Sequence, residues 1–530
     1  MQFELKNQLN FVPNLVTRST ATLQAMPPSD SHRRGSTPSH CCAVLPAADA
    51  SLCRPAAASP CWPPPLGRIG PPPPARSRER DLSMDEEVLL DRFVFRRDGG
   101  AKPLPANETT AGSSTCIGVP FRVTVDLAAP PAISRFYLEW PRGPKPEAGT
   151  TCHIVAAHGG RVLFRLTSIV RSKTTCPRQY LLYPDDYFVY TPAAASLTRL
   201  PTWIRPNPDP VDPPAPEEKK ESDPMPGTEE KAQADESESD SDSAPAEGDG
   251  ADRGDAELSR SSLVIKSVGL VGDGDRDAFA VAELRLFEST GRLGVSGELS
   301  LFRSNGGHQG HHQWELKRPL PIDCRRNRRD AAGLRRFARQ AVVPFGRRRL
   351  CWVDYRRGVI VLGDDVLDDQ MMSHQSPKLS YHPFPPVAAP TGRNVDMHRG
   401  VCATGGGSSL KLVDVVVDEL PRRTTFTISV YTLKAAAEDA GGMRWEEDAV
   451  APMTAEELWG LEAPAPVPHE VPLFPVVSMD KPHVVRFLLS ECTDYVDTVT
   501  LVTVDMDARA VLSVHPYIKG EQELALRGRC

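Results

Sequence analysis

The stretch Phe279-Ala280-Val281-Ala282-Glu283-Leu284-Arg285-Leu286, followed by Gly294-Val295-Ser296-Gly297-Glu298-Leu299-Ser300-Leu301-Phe302, is the clearest statement of the fold. Apolar and polar side chains alternate with a period close to two, which predicts two strands of one sheet. The same phrase recurs in both directions along the chain. Upstream stand Phe121-Arg122-Val123-Thr124-Val125-Asp126-Leu127 and Phe136-Tyr137-Leu138-Glu139-Trp140. Ile154-Val155-Ala156-Ala157 and Val162-Leu163-Phe164-Arg165-Leu166 flank His158-Gly159-Gly160, a hairpin with glycine supplying the turn. Tyr187-Phe188-Val189-Tyr190 pairs with Ser196-Leu197-Thr198-Arg199-Leu200. Downstream, Leu350-Cys351-Trp352-Val353-Asp354 turns at Arg357-Gly358 into Val359-Ile360-Val361-Leu362. Leu410 to Val416, Phe426 to Leu433 with Met443-Arg444-Trp445, His483 to Leu489, Val499 to Asp505 and Val511 to Val514 close the series.

Helix signals are few. Thr454-Ala455-Glu456-Glu457 has capping-box spacing. Asp330 to Val343 predicts a helix, with Leu334, Phe337, Ala338 and Ala341 on one face. Prolines number 52 in 530 residues, about twice ordinary usage, which argues against an all-helical protein. Strands at such intervals predict an all-β fold. A four-stranded blade of about 40–50 residues fits the strand-rich text several times over. The expected fold is therefore β-propeller-like with six blades, and the alternative is a β-sandwich.

Five regions follow from composition. Residues 1–83 carry proline and alanine runs with few aromatics and predict a disordered extension. Its scattered Ser and Arg also fit a transit peptide, and Met84 offers a second start. Residues 84–204 and 259–522 are two parts of one β domain, and 523–530 is a tail. Between the two parts, residues 205–258 form an acidic insert. Pro206 to Glu257 holds eighteen acidic and four basic residues, net −14, against −7 for the whole chain. So charged a stretch predicts a disordered loop. Within it, Ser237 and Ser239 each precede an acid by three residues, a pattern that acidophilic kinases favour. Phosphorylation would add roughly −1.5 to −2 per site.

Several function classes are excluded or weakened. A net charge of −7 does not suit a general nucleic-acid binder. No apolar run approaches the ~18–20 residues of a membrane helix. The twelve cysteines form no C-x-x-C pair, so zinc spacings are missing and reduced structural thiols in the cytoplasm or nucleus are expected, ahead of the chloroplast. No Gly-x-Ser-x-Gly elbow occurs.

The text resembles a plant family, expanded in grasses, called domain of unknown function 1618 (DUF 1618). The resemblance rests on Glu87-Val88-Leu89-Leu90-Asp91-Arg92-Phe93 and on Leu127-Ala128-Ala129-Pro130-Pro131-Ala132-Ile133-Ser134-Arg135. It continues in Leu350-Cys351-Trp352-Val353-Asp354-Tyr355-Arg356-Arg357-Gly358 and Leu410-Lys411-Leu412-Val413-Asp414-Val415. It ends with Pro475-Val476-Val477-Ser478-Met479-Asp480-Lys481-Pro482-His483-Val484-Val485. The strand order also resembles the kelch-like propellers that follow F-boxes, as in the phrase from Tyr190-Thr191-Pro192 to Leu200-Pro201. The family's activity is unknown, so the resemblance implies no catalytic, cofactor-binding or metal-binding residue. The insert, the N-terminal extension and an arginine block are departures from it.

The candidate chemistry is sparse. His308, His311 and His312 could offer imidazoles to a metal, though Asn305-Gly306-Gly307 before them reads as a polar loop. Asp364, Asp365, Asp368 and Asp369 crowd carboxylates without the spacing of a calcium loop and read as a turn. Gly269-Leu270-Val271-Gly272-Asp273-Gly274 and Gly405-Gly406-Gly407 read as turns rather than phosphate cradles. The basic block is denser: Arg325, Arg326, Arg328, Arg329, Arg335, Arg336, Arg339, Arg347, Arg348 and Arg349 fall within 25 residues. It reads as a solvated basic face, a nuclear import signal, a nucleic-acid patch or a dock for the acidic insert. The expected function is a non-enzymatic protein–protein interaction module or adaptor with an unidentified protein partner and no cofactor. The rival readings are a propeller-type hydrolase or lyase and nucleic-acid binding through residues 325–349.

Overall fold

The computed structural model describes residues 9–12, 87–98, 103–145, 151–171, 181–203, 263–273, 278–288, 294–304, 313–324, 328–346, 348–368, 377–385, 395–420, 423–435, 443–450, 452–492 and 496–518. Contacts divide the chain into one unit of Met1–Leu15 with Ser83–Cys530 and a second, Val16–Leu82, which lies outside the described residues. Every described strand belongs to the first unit. The predicted acidic insert, with Ser237 and Ser239, and His308, His311 and His312 also lie outside the described residues.

The fold is all-β, and the described strands fall into six groups, five of them built on four antiparallel strands and the first mixed. The first sheet holds β1 (Leu9–Val12), β2 (Val88–Arg96), β3 (Ala111–Ser114), β4 (Pro120–Asp126) and β5 (Ser134–Glu139), in the order β1-β2-β5-β4-β3. Only β1–β2 and β2–β5 pair in parallel there. The second holds β6 (Cys152–His158), β7 (Arg161–Thr167), β10 (Asp185–Thr191) and β11 (Ser196–Arg199), with β8 (Val170–Arg171) and β9 (Leu181–Leu182) as a small side ribbon. The third group is β12 (Val268–Gly272), β13 (Phe279–Glu288), β14 (Val295–Arg303) and β15 (Glu315–Cys324). The fourth is β16 (Ala341–Phe345), β17 (Arg349–Asp354), β18 (Gly358–Leu362) and β19 (Leu379–Pro383). A short parallel pairing, Ile322 opposite Leu379, joins these two groups into one eight-stranded sheet. The fifth is β20 (Arg399–Thr404), β21 (Ser409–Leu420), β22 (Arg423–Ala435) and β23 (Met443–Glu447), with β24 (Met453–Thr454) on its side. The sixth is β25 (Leu473–Val477), β26 (Val484–Cys492), β27 (Val496–Asp505) and β28 (Ala510–Ile518).

Period two explains how these quartets pack. Successive side chains of a strand leave by opposite faces, so a strand covered on both faces feeds two cores. In β7, Val162, Phe164 and Leu166 enter the core shared with the first quartet, while Leu163 enters the core shared with the third. In β17, Leu350 and Trp352 face the third quartet, and Cys351 and Val353 face the fifth. In β21, Leu410 and Leu412 face the fourth quartet, and Val413 and Val415 face the sixth. A last core joins Leu89 of β2 to Phe474, Leu488 and Leu501 of the sixth quartet. Each quartet is thus bonded to the next by its own apolar cluster, and the sixth returns to the first. Each fully buried Leu or Phe in these clusters contributes roughly 1.5–3 kcal/mol.

The return is reinforced by buried polar bonds between residues 391 to 426 apart in sequence. The Glu87 carboxylate accepts from Arg486 Nη1 at 2.7 Å and Nη2 at 3.1 Å, and from Ser478 Oγ at 2.6 Å. Tyr517 donates to Asp91 at 3.0 Å. A second buried pair, Arg399 with Asp414, is bidentate at 2.9 and 2.7 Å inside the fifth quartet. Hairpin turns lie close to neighbouring backbone. Gly159 has φ +55°, and a Cβ there would sit 2.7 Å from the Gly272 carbonyl oxygen, so the position needs glycine on both counts.

Helices are short. They are α1 (Arg328–Arg335), α2 (Val395–His398) and α3 (Ala455–Gly460). At α3 the capping box forms as expected between Thr454 and Glu457. The helix expected over 330–343 is cut short at Arg335, and residues 341–345 form β16 instead. Asp354 captures the Ala338 amide at 2.7 Å, and Val342-Val343 before Pro344 favours extended backbone. Leu334 and Phe337 still reach the core. Among the described residues no helix is long and apolar enough to cross a membrane.

Candidate functional site

A cavity of about 360 Å³ opens at one end of the first two quartets. Three connections build it: residues 116–119 between β3 and β4, residues 140–145 after β5, and Ser168-Ile169 after β7. Its walls are Ile117, Val119, Ile169 and Pro144, with Trp140 and Ser168 beneath and Arg142 and Lys145 at the rim.

Each wall is fixed by polar bonds from the strands. The Trp140 amide donates to Asp98 Oδ1 at 2.8 Å. The Arg96 guanidinium, itself buried, donates to the carbonyls of Trp140, at 2.6 Å, and Pro144. It also lies 5.4 Å from the centre of the Trp140 ring and pairs with Asp98 at 2.6 Å. One buried arginine therefore holds the whole 140–144 turn. Gly143 lies on the indole, and a Cβ there would approach Cδ2 to 2.2 Å. On the other wall, Asp186 accepts from the Cys116 amide at 2.8 Å, and Ser168 donates its amide to the Pro184 carbonyl at 3.0 Å.

The floor carries two polar atoms without partners. Trp140 Nε1 and Ser168 Oγ are buried and make no hydrogen bond, in side chains 0% and 1% exposed. Leaving a buried donor unpaired costs roughly 1–3 kcal/mol. Around this floor the surface is apolar beyond what a lone exposed residue explains. Ile117 is 42% exposed, and Tyr183, next to the Pro184 that holds Ser168, is 57% exposed. The rim carries Arg142 and Lys145, which are without an ion-pair partner among the described residues, and no carboxylate is among the described residues that line the cavity. The outer edge of Cys116 reaches the surface here, but burial of the sulfur, and secondarily the Asp186 carboxylate, push its thiol up to about 12. It is therefore not a thiolate nucleophile at neutral pH. What the cavity presents to solvent is therefore an apolar wall with a cationic rim.

Five arginines of the block have described side chains, and their surroundings differ. Arg325, Arg326 and Arg347 lie outside the described residues, as do the side chains of Arg328 and Arg329. Arg335 and Arg336 are exposed at the end of α1. Arg339 is half-buried, and burial pulls its guanidinium below the usual range. Arg348 turns inward to Asp273 at 3.0 Å and Asp365 at 3.7 Å, and Arg349 stacks 4.7 Å from the Phe345 ring centre. The aspartates at 364–368 make a turn, with Asp365 accepting from the Leu367 amide at 2.8 Å and Asp364 from the Lys378 amide at 2.7 Å. Gly269 to Gly272 lie inside β12, and Gly405-Gly406-Gly407 makes the β20–β21 turn. Among the described residues no group of three or more His, Cys, Asp or Glu could hold a metal ion.

Sequence reading missed the cavity because its three walls come from separate loops. The one local signal was Trp140-Pro141-Arg142-Gly143-Pro144, a bulky aromatic at a strand end followed by two prolines and a glycine.

No curated protein matches the chain. A model of a family described as protein of unknown function (DUF1618) matches residues 352–486, from β17 to the Arg486 that binds Glu87, so that stretch of the chain is similar to the family.

Proposed function

We propose that this chain is a protein-interaction module, an adaptor rather than an enzyme, acting in the cytosol or nucleus. Its six quartets would be the blades of a six-bladed propeller, and a partner protein would dock at the cavity between the first two. The cyclic order of the six apolar clusters supports the scaffold reading, since a sandwich has one core between two sheets. One observation carries the docking reading: Ile117, 42% exposed, stands in the apolar wall of a cavity whose rim holds the exposed cations Arg142 and Lys145. Exposed apolar surface rimmed by charge marks a surface made to be covered.

The test is a photo-crosslinking amino acid placed at Ile117 and, separately, at Leu512, an exposed apolar side chain of the sixth quartet. The Ile117 position should yield a discrete crosslinked protein from native tissue extract that the Leu512 position does not. Equal or absent crosslinking at both positions would sink the reading.

A further inference from the structure

We propose that the free edge of β2 is a binding site for an extended apolar peptide, and that the chain holds its own ligand there, residues Leu9–Val12. The first strands of the quartets follow one another side by side: β2 lies against β6, β6 against β12, β12 against β16, β16 against β20 and β20 against β25. Among the described residues, β6, β12, β16, β20 and β25 each end their sheet. β2 is the exception. β1 pairs with it in parallel, Leu9 opposite Val88 and Val12 opposite Asp91, and also lies against β6 and β25. It thus stands where the second and sixth quartets approach the first.

That edge needs an occupant. Val88 to Asp91 are buried, and a buried strand edge without a neighbour leaves a row of amides and carbonyls unpaired. A parallel ladder is made by main chain alone, so the site accepts a strand by its shape and apolar character. The resident segment Leu9-Asn10-Phe11-Val12 is uncharged and three-quarters apolar, and Pro13 after it has no amide to continue the ladder. Its connection marks it as a ligand more than as a fixed part of the sheet. Residues 13–87, 75 in number, separate it from β2, and contacts assign Val16–Leu82 within them to a unit of their own. Four residues of parallel pairing, closed over so long a connection, form a short intramolecular complex that a matching segment can enter.

The experiment uses the full chain. Asn10→Pro with Phe11→Pro removes two consecutive amides, and since neighbouring residues of a strand send their amides to opposite edges, one of the two faces β2. The probe is a fluorescein-labelled peptide of residues 5–16, read by anisotropy. The double variant should bind it at least tenfold more tightly than the parent chain, whose own tethered strand competes for the edge. The same peptide carrying both prolines should bind neither chain. A variant that keeps the circular dichroism of the parent chain yet binds the peptide no better would overturn the proposal. A second measurement needs no variant of the chain. The peptide with benzoylphenylalanine in place of Asn10, at about millimolar concentration to compete with the tethered strand, is photo-crosslinked to the parent chain. The attachment should map to β2, around Leu89. Attachment elsewhere, or none, would overturn the proposal. Dimers of the parent chain that the double variant does not form would support the same edge, with a second copy supplying the strand.

Discussion

The seam between the sixth and first quartets and the cavity between the first and second bury polar groups in opposite ways. At the seam every Glu87 oxygen has a donor: Arg486 twice and Ser478 once. At the cavity Trp140 Nε1 and Ser168 Oγ have none. Both sites lie at junctions of the same kind, between neighbouring four-stranded groups. Burial of polar atoms is therefore not itself a functional signal. Paired, they fix which strands close the fold. Unpaired, each leaves a cost of roughly 1–3 kcal/mol in the fold.

The seam should break hardest. Arg486→Met leaves the Glu87 carboxylate buried without its cation and should cost about 3–5 kcal/mol in urea unfolding. Adding Glu87→Gln to that variant should recover much of the loss, because no bare charge then remains. If the single and double variants are equally unstable, the seam acts through packing instead.

Acid probes the polar junction between the second and third quartets. His158 Nδ1 accepts from the Gly272 amide at 3.0 Å. Burial, and then Arg161, pull its pKa from 6.5 down to about 4. The ring is neutral in the fold and must shed any proton to stay there. Above pH 6.5 its contribution is intact. As pH falls from 6.5 toward about 4 the unfolded chain binds the extra proton, and stability declines by on the order of 3 kcal/mol. His158→Asn keeps an acceptor for Gly272 and should flatten that acid limb. An unchanged slope would assign the loss to other groups.

The cavity should break least in stability. Ser168→Ala removes an unpaired hydroxyl, so unfolding should be unchanged or gain up to about 1 kcal/mol. The arginine block sharpens the contrast further. Arg336→Glu touches an exposed side chain and should stay within about 0.5 kcal/mol. A larger loss would mean that this arginine binds something inside the molecule.

Much of the fold was legible because it is local. Alternation located β13 and β14, and glycine located the 158–161 turn, since period and turn chemistry act over a few residues. The Thr454 capping box was legible for the same reason. The end of α1 was not, because it depends on Asp354, sixteen residues beyond the amide it captures. The seam was not, because Glu87 and Arg486 are 399 residues apart. The pairing of Arg348 with Asp273 was not legible either, since clustering in sequence says nothing of a partner 75 residues away. The cavity needed three loops to be placed together, which no single stretch announces.

The most direct test compares urea unfolding of Ser168→Ala and Arg486→Met with that of the parent chain. Ser168→Ala should unfold like the parent chain. Arg486→Met should lose about 3–5 kcal/mol. A Ser168→Ala chain that loses several kcal/mol, or an Arg486→Met chain that unfolds like the parent, would contradict the distinction between a seam whose paired charges hold the fold and a cavity whose buried polar groups do not.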